Sequence, residues 1–192
     1  MKRSIVVFGA TGTLGLYFVD HLSSVLDADE WNIIATGRSG LNWFSRYSNV
    51  EYINVDIDQA ETFSALPQGD VFGVMHFAGV LPGYMDGYHP RSYLETNVMG
   101  TFNILEYARL SGASRIVYTQ TISDYAGYFD ELVELKDDMR QLPPMTGDHS
   151  VYAISKICAE QLCNHYEESY GIKAFTLRLP NIYCFMHDSK TL

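Results

Sequence analysis

The chain has 192 residues, of which 47% are hydrophobic and 19% charged, and its formal net charge is −10. That is enough for one domain with a core of its own, and the acidic balance excludes a broad basic surface for nucleic acid or an anionic membrane. No run approaches the roughly 18 uninterrupted apolar residues of a membrane span. Cys158, Cys163 and Cys184 are an odd number without metal-ligand clustering, as expected of reduced thiols in a cytoplasmic protein without a metal site.

The opening MKRSIVVFGATG sets two basic residues before an apolar run, as a secretory leader does, but the run breaks at Gly9 and Gly12. Residues 4–10 therefore read as a buried strand. Residues 13–26 follow with Leu14, Tyr17, Phe18, Leu22, Val25 and Leu26 at helical spacing. Further strands are expected at 31–37 (WNIIATG), 50–56 (VEYINVD), 71–79 (VFGVMHFAG), 114–121 (SRIVYTQT) and 173–181 (KAFTLRLPN). Helices are expected over 91–112 and 150–171, stopped by Gly112 and Gly171. Apolar strands alternating with helices predict an α/β fold: a Rossmann-type, doubly wound parallel sheet with helices on both faces. The long connection 124–149 reads as a functional lid or as a surface insertion.

GATGTLG carries Gly9, Gly12 and Gly15 between a predicted strand and a predicted helix, the context a dinucleotide-binding turn requires. Gly9 would permit the tight turn, Gly12 the approach of a pyrophosphate and Gly15 the packing of helix on strand. Thr11, Thr13 and Leu14 complete the turn, with the N–H groups of Thr13 and Leu14 facing the phosphates at the helix N-terminus. The second strand ends at Thr36, Gly37 and Arg38 with no acid to bind ribose hydroxyls; Arg38 suits a 2′-phosphate, which favours NADP over NAD. Asp56, ending the third strand, suits an adenine amino group or a simple turn. His76 reads as structural, while Ala78 and Gly79 would let a ribose lie against backbone. Asn97, a poor helix former within a helix, either bonds main chain near the site or is an exposed asparagine.

Thr119, Thr121 and Ser123 leave the fifth strand with hydroxyls on one side, by alternation. Tyr152 and Lys156 lie four residues apart on one helical face. A Tyr-x-x-x-Lys spacing is common, and only its context makes it an acid–base pair.

These elements in this order, GATGTLG, VDI, HFAG, ETNVMGTFNILEYA, IVYTQTISDYAG, YAISKICAE and LRLPNIY, resemble the extended short-chain dehydrogenase/reductases, in the sugar-nucleotide epimerase/dehydratase branch. The likeness covers residues 4 to about 183. It implies an NAD(P)-dependent enzyme acting on a nucleotide sugar by transient hydride transfer. It also implies Thr121, Tyr152 and Lys156 as the catalytic set, with Lys156 lowering the Tyr152 pKa and holding the nicotinamide ribose. Asp56, Ile57, Phe77, Ala78, Gly79, Asn97, Thr119 and Pro180 match cofactor contacts; Thr121, Ser123 and Asn181 match substrate contacts. A homodimer is implied by the same likeness.

Three departures stand out. Members usually continue into a smaller substrate-binding domain, so residues 1–192 are expected to form the NAD(P)-binding domain with that second domain absent or truncated. Cys184 stands where a glycine often follows Asn-x-Tyr. The acid expected after the second strand is missing. An NADPH-dependent carbonyl reductase of the same extended group, and a non-catalytic NAD(P)-sensing protein, are the competing readings.

Overall fold

The computed structural model describes residues 2–40, 43–83, 88–130, 134–136, 138–180 and 182. Six parallel strands form one sheet in the order β3-β2-β1-β4-β5-β6. They are β1 (Arg3–Phe8), β2 (Trp31–Gly37), β3 (Val50–Asn54), β4 (Val71–His76), β5 (Arg115–Thr121) and β6 (Lys173–Leu179). The order reverses between β1 and β4. In an open α/β sheet the crevice at the strand C-termini beside such a reversal is where ligands bind.

Alternation along each strand divides the core in two. Val6, Phe8, Ile34, Val74, Ile116 and Tyr118 point to one face, where α3 (Thr101–Leu110) and α4 (Asp148–Tyr170) cover them with Ile104, Leu105, Ala108, Ala159 and Cys163. Ile5, Val7, Ile33 and Ala35 point to the other face, beneath Val19 and the half-buried Leu16, Phe18 and Leu22 of α1 (Thr13–Val25). That second face thins towards β6, where Phe175 and Leu177 are 50% and 46% exposed. The two-sided cover expected from the sequence is therefore complete over the middle of the sheet and one-sided at this edge.

The helix expected over 91–112 is not uniform. A first turn, α2 (Pro90–Ser92), leads into a π-helical stretch, Tyr93–Gly100, before α3 begins. Gly100 explains part of the fit, since a Cβ there would lie 2.7 Å from Ile57 Cδ1. The stops at Gly112 and Gly171 hold, with φ of +76° and +71°, the left-handed conformation that glycine adopts without steric cost. The 3-10 segment Ala60–Ala65 was not foreseen; a second one, Ile122–Tyr128, runs into the start of the long connection. No described helix is long and apolar enough to cross a membrane.

Candidate active site

The glycine turn joins β1 to α1 at the switch point. Gly9 has φ +77°, and a Cβ there would stand 2.5 Å from the backbone nitrogen of Ala78, so the end of β1 lies directly against the end of β4. A Cβ on Gly15 would meet the Gly9 carbonyl oxygen at 2.2 Å, which is the close helix–turn packing expected of it. Gly12 differs: a Cβ there meets only the Gly9 oxygen, at 3.3 Å, and the residue is exposed. Gly12 caps α1, its carbonyl accepting the Leu16 N–H at 2.9 Å. The N–H groups of Thr13 and Leu14 thus have no intrahelical acceptor. The first turn of α1 carries no acid, so nothing in it offsets the positive end of the helix dipole.

Around this turn the expected cofactor contacts take different places. Ala78 is half-buried, and exposed Gly79 faces Asn97, whose Oδ1 would be 3.0 Å from a Cβ. Phe77 turns its ring onto Phe18 of α1, edge-on at 5.1 Å, so only its backbone borders the turn. Ile57 is buried in the core against Gly100, which likewise leaves its backbone as the part able to meet a ligand. Asp56 is half-buried and uses Oδ1 to accept the Asp58 N–H, the turn role weighed for it; its other oxygen is not engaged there. Arg38 is exposed just beyond β2. Pro180 is exposed directly after β6. Asn181 and Cys184 lie outside the described residues.

Asn97 is 2% exposed and bonds main chain. Its Oδ1 accepts the Val80 N–H at 2.9 Å, and its Nδ2 donates to the Val80 carbonyl and to Ser155 Oγ, each at 3.1 Å. Ser155 in turn donates to the Tyr152 carbonyl at 2.7 Å. Asn97 therefore ties the loop after β4 to the turn of α4 that bears Tyr152. The widened π-helical turn is what brings a helix-interior asparagine into this position.

Tyr152 and Lys156 are both buried on α4. The Tyr152 ring packs edge-on against Tyr93 at 5.8 Å and His149 at 6.2 Å. Burial pushes its phenol up to about 12; the Thr121 hydroxyl beside it pulls the other way. Lys156, 6% exposed, sits with Nζ 4.3 Å from the centre of the Tyr118 ring, and burial lowers it to about 7. Desolvation dominates both groups, and the charges acting on Tyr152 come from Tyr93 and Asp124 rather than from the lysine. At neutral pH the Tyr152 phenol is protonated.

Thr121 ends β5 and caps the 3-10 segment, accepting the Ser123 N–H at 3.1 Å while its hydroxyl lies 3.2 Å from Ser123 Oγ. Ser123 is thus in the cap, beyond the reach of strand alternation. Thr119 Oγ1 donates to the His76 carbonyl at 3.2 Å, a bond that joins β5 to β4. His76 is structural, as expected. Its Nε2 lies 2.8 Å from Thr101 Oγ1, which itself donates to the Asn97 carbonyl, so His76 Nε2 carries the proton. Burial and Lys156 lower its pKa to about 3.

A buried ionic network beneath the site was not foreseen. Arg178 of β6 donates Nε to Asp124 Oδ2 at 2.9 Å and a terminal nitrogen to both oxygens of Glu160 at 2.7 and 2.8 Å. Gln141 bridges the two carboxylates, and Gln120 donates to Glu160 and to the Lys156 carbonyl. Two signals for it exist in the sequence: Glu160 lies one helical turn beyond Lys156, and Gln120 is polar on a core-facing strand position. The connection 124–149 is held by it. Gln141 is tied as above, and Leu142 exchanges backbone bonds with Asp124 and Gly127 at 2.7 and 2.9 Å.

A doubly wound parallel sheet with a glycine turn at its switch point is the architecture of the dinucleotide-binding folds. The chain belongs to the NAD dependent epimerase/dehydratase family, whose model matches residues 5–190, and so to a class of enzymes. It is 33% identical over 188 residues to GDP-mannose 3,5-epimerase 1 of Oryza sativa subsp. japonica, a match covering 95% of this chain and 47% of that protein. UDP-glucose 4-epimerase of Thermus thermophilus, solved in complex with NAD, has the same fold at a TM-score of 0.75 and 23% identity, over 92% of this chain and 54% of that one. A monomeric L-threonine 3-dehydrogenase from a metagenome shares it at a TM-score of 0.76 and 24% identity, over 95% of this chain and 55% of that one. The chain spans about half the length of the curated relatives it matches, 47% to 58% for three of them.

Proposed function

We propose that residues 1–192 act as the NAD(P)-binding domain of an oxidoreductase that epimerises or dehydrates a nucleotide-linked sugar. The observation that carries this reading is that Gly12, after β1, and Tyr152, beside Thr121 at the end of β5, both lie at the C-terminal ends of the strands. An exposed helix N-terminus, capped by Gly12 without a side-chain bond, lies at the switch point, and Asn97 links the adjoining β4 loop to the Tyr152 turn. The residues present fit a dinucleotide: room at Gly12, donors at Thr13 and Leu14, and backbone at Ala78 and Gly79.

The nicotinamide, when bound, supplies hydride acceptance and return. The chain's own residues then handle the proton. Tyr152 donates to, or takes a proton from, the sugar oxygen at the reacting carbon. Thr121 hydrogen-bonds that same oxygen and fixes the phenol. Lys156, poised near neutrality by burial, holds the nicotinamide ribose. Ser123, beside the Thr121 hydroxyl, contacts the substrate.

Arg38, with no acid at the end of β2, favours NADP over NAD. The same feature favours an NADPH-dependent carbonyl reductase as the second reading. Both are tested by presenting nucleotide-linked hexoses and simple carbonyl compounds with NAD(P)(H), and following absorbance at 340 nm and the sugar by NMR. Tyr152→Phe is expected to lose at least about a hundredfold in turnover. Turnover at the wild-type rate in that variant sinks the acid–base assignment.

A further inference from the structure

The end of β2 holds a steric feature that the loop sequence alone does not disclose. Gly37 is buried, and a Cβ built on it would stand 2.7 Å from Thr11 Oγ1, 3.1 Å from Thr11 Cγ2 and 3.2 Å from the Tyr52 hydroxyl. Position 37 is the strand-end position from which a carboxylate reaches the adenosine ribose. Here its side-chain space is filled from across the crevice by a residue of the glycine turn.

Thr11 cannot easily leave. The turn is pinned to β2 by the Ala10 N–H donating to the Thr36 carbonyl at 2.9 Å, and Thr36 Oγ1 donates on to the Val7 carbonyl at 3.2 Å. Gly12 N–H closes the turn on the Gly9 carbonyl at 3.0 Å. A β-branched side chain on so constrained a backbone has few rotamers available. On the other side, Tyr52 donates its hydroxyl to the Ser39 carbonyl, and Asn54 Nδ2 reaches the carbonyls of Arg38 and Ser39 at 3.4 Å. The 38–39 backbone is held by its own neighbours.

The charges facing this corner are few. Arg38 is exposed and forms no ion pair among the described residues. Asp56 is half-buried at the end of β3, and Asp58, which accepts from Thr96 Oγ1 at 2.9 Å, feels the Arg38 charge. Two carboxylates near a 2′-phosphate oppose it, so Arg38 has to supply the attraction.

We infer that Thr11 is a specificity-determining residue of the dinucleotide site: by occupying the side-chain space of position 37 it bars a ribose-binding carboxylate and leaves the adenosine 2′ position to its own hydroxyl and to Arg38, an arrangement that selects a 2′-phosphate. The inference rests on the reading of the glycine turn as a dinucleotide site and adds the residue that sets its preference.

The test is equilibrium binding of NADPH and NADH to the chain and to three variants, with adenosine 2′,5′-bisphosphate and 5′-AMP as competitors. The wild type is expected to bind NADPH at least about tenfold more tightly than NADH, and the bisphosphate to compete better than 5′-AMP. Arg38→Ala, at an exposed position, is expected to bring the ratio near one. Gly37→Asp is expected to weaken both dinucleotides, and Thr11→Ala/Gly37→Asp to recover NADH in preference to NADPH. Equal affinities in the wild type, a ratio unchanged in Arg38→Ala, or tighter NADH binding by Gly37→Asp without the Thr11 change each overturn the inference while leaving the dinucleotide reading intact. Binding of neither dinucleotide overturns both.

Discussion

Asn97 Nδ2 and Ser155 Oγ are joined by a buried hydrogen bond of 3.1 Å that spans two helices. Through it the loop after β4 is tied to the Tyr152 turn of α4. Asn97→Ala removes three bonds and strands the Val80 N–H in the interior. The expected loss is about 2–4 kcal/mol in a urea titration, together with weaker dinucleotide binding. Unchanged stability would show that the bonds are replaced by water.

Lys156 gives a pH signature. Its pKa falls from 10.5 unfolded to about 7 folded because burial penalises the charge. Between those values the unfolded chain binds the extra proton, so stability rises with pH across the window from about 7 to 10.5. Lys156→Met removes this dependence. At pH 6 the variant is expected to be more stable than the wild type by a few kcal/mol, less whatever the cation–π contact with Tyr118 contributes. The difference closes as the pH approaches that of the unfolded lysine. A constant difference across the range would contradict the assigned cause.

His76 titrates in the opposite part of the scale. Its folded pKa is lowered from 6.5 to about 3, so its neutral form is favoured in the fold. The wild type is therefore expected to lose stability from this group as pH falls from 6.5 towards 3. His76→Gln, which keeps a donor for Thr101, should show a shallower acid decline in denaturant midpoint.

Arg178 forms the ion pairs of two buried carboxylates that otherwise receive only neutral amide donors among the described residues. Asp124 is fully buried, with Oδ1 lacking a partner, and Glu160 is nearly so. Arg178→Met is expected to cost about 3–5 kcal/mol, since it leaves both charges uncompensated. Changing Asp124 to Asn in the same background should recover part of that loss. If the single variant melts with the wild type, the network is not structural.

Gly9 and Gly12 should separate fold from function. Gly9→Ala forces a side chain into the Ala78 backbone at a left-handed φ, and a large loss of stability follows. Gly12→Ala meets only one oxygen at 3.3 Å and should change stability by less than about 1 kcal/mol. Its expected effect is on dinucleotide affinity, at least about tenfold weaker. Calorimetry of both variants with and without NADPH reads the contrast directly.

Strand and helix types were legible because period and punctuation are local properties. The apolar runs ending at Gly9 and Gly37, and the stops at Gly112 and Gly171, announce themselves within a few residues. The π-helical stretch at Tyr93–Gly100 did not, because a widened turn keeps nearly the same side-chain pattern as an α-helix. Thr121 was legible as a strand-end hydroxyl, but its capping of Ser123 depends on where β5 stops.

The sequence by itself determined the layered α/β class, the order of elements and the residue types gathered at the strand ends, since each follows from neighbours close along the chain. Only the tertiary structure decided what desolvation does to them. It set the Tyr152 phenol at about 12 through burial. It brought Asp124, Glu160 and Arg178 together from three elements, burying the two carboxylates, and set Thr11 against Gly37. Burial and contact are long-range quantities: they depend on which surfaces meet when the sheet closes, and spacing along one chain does not contain them.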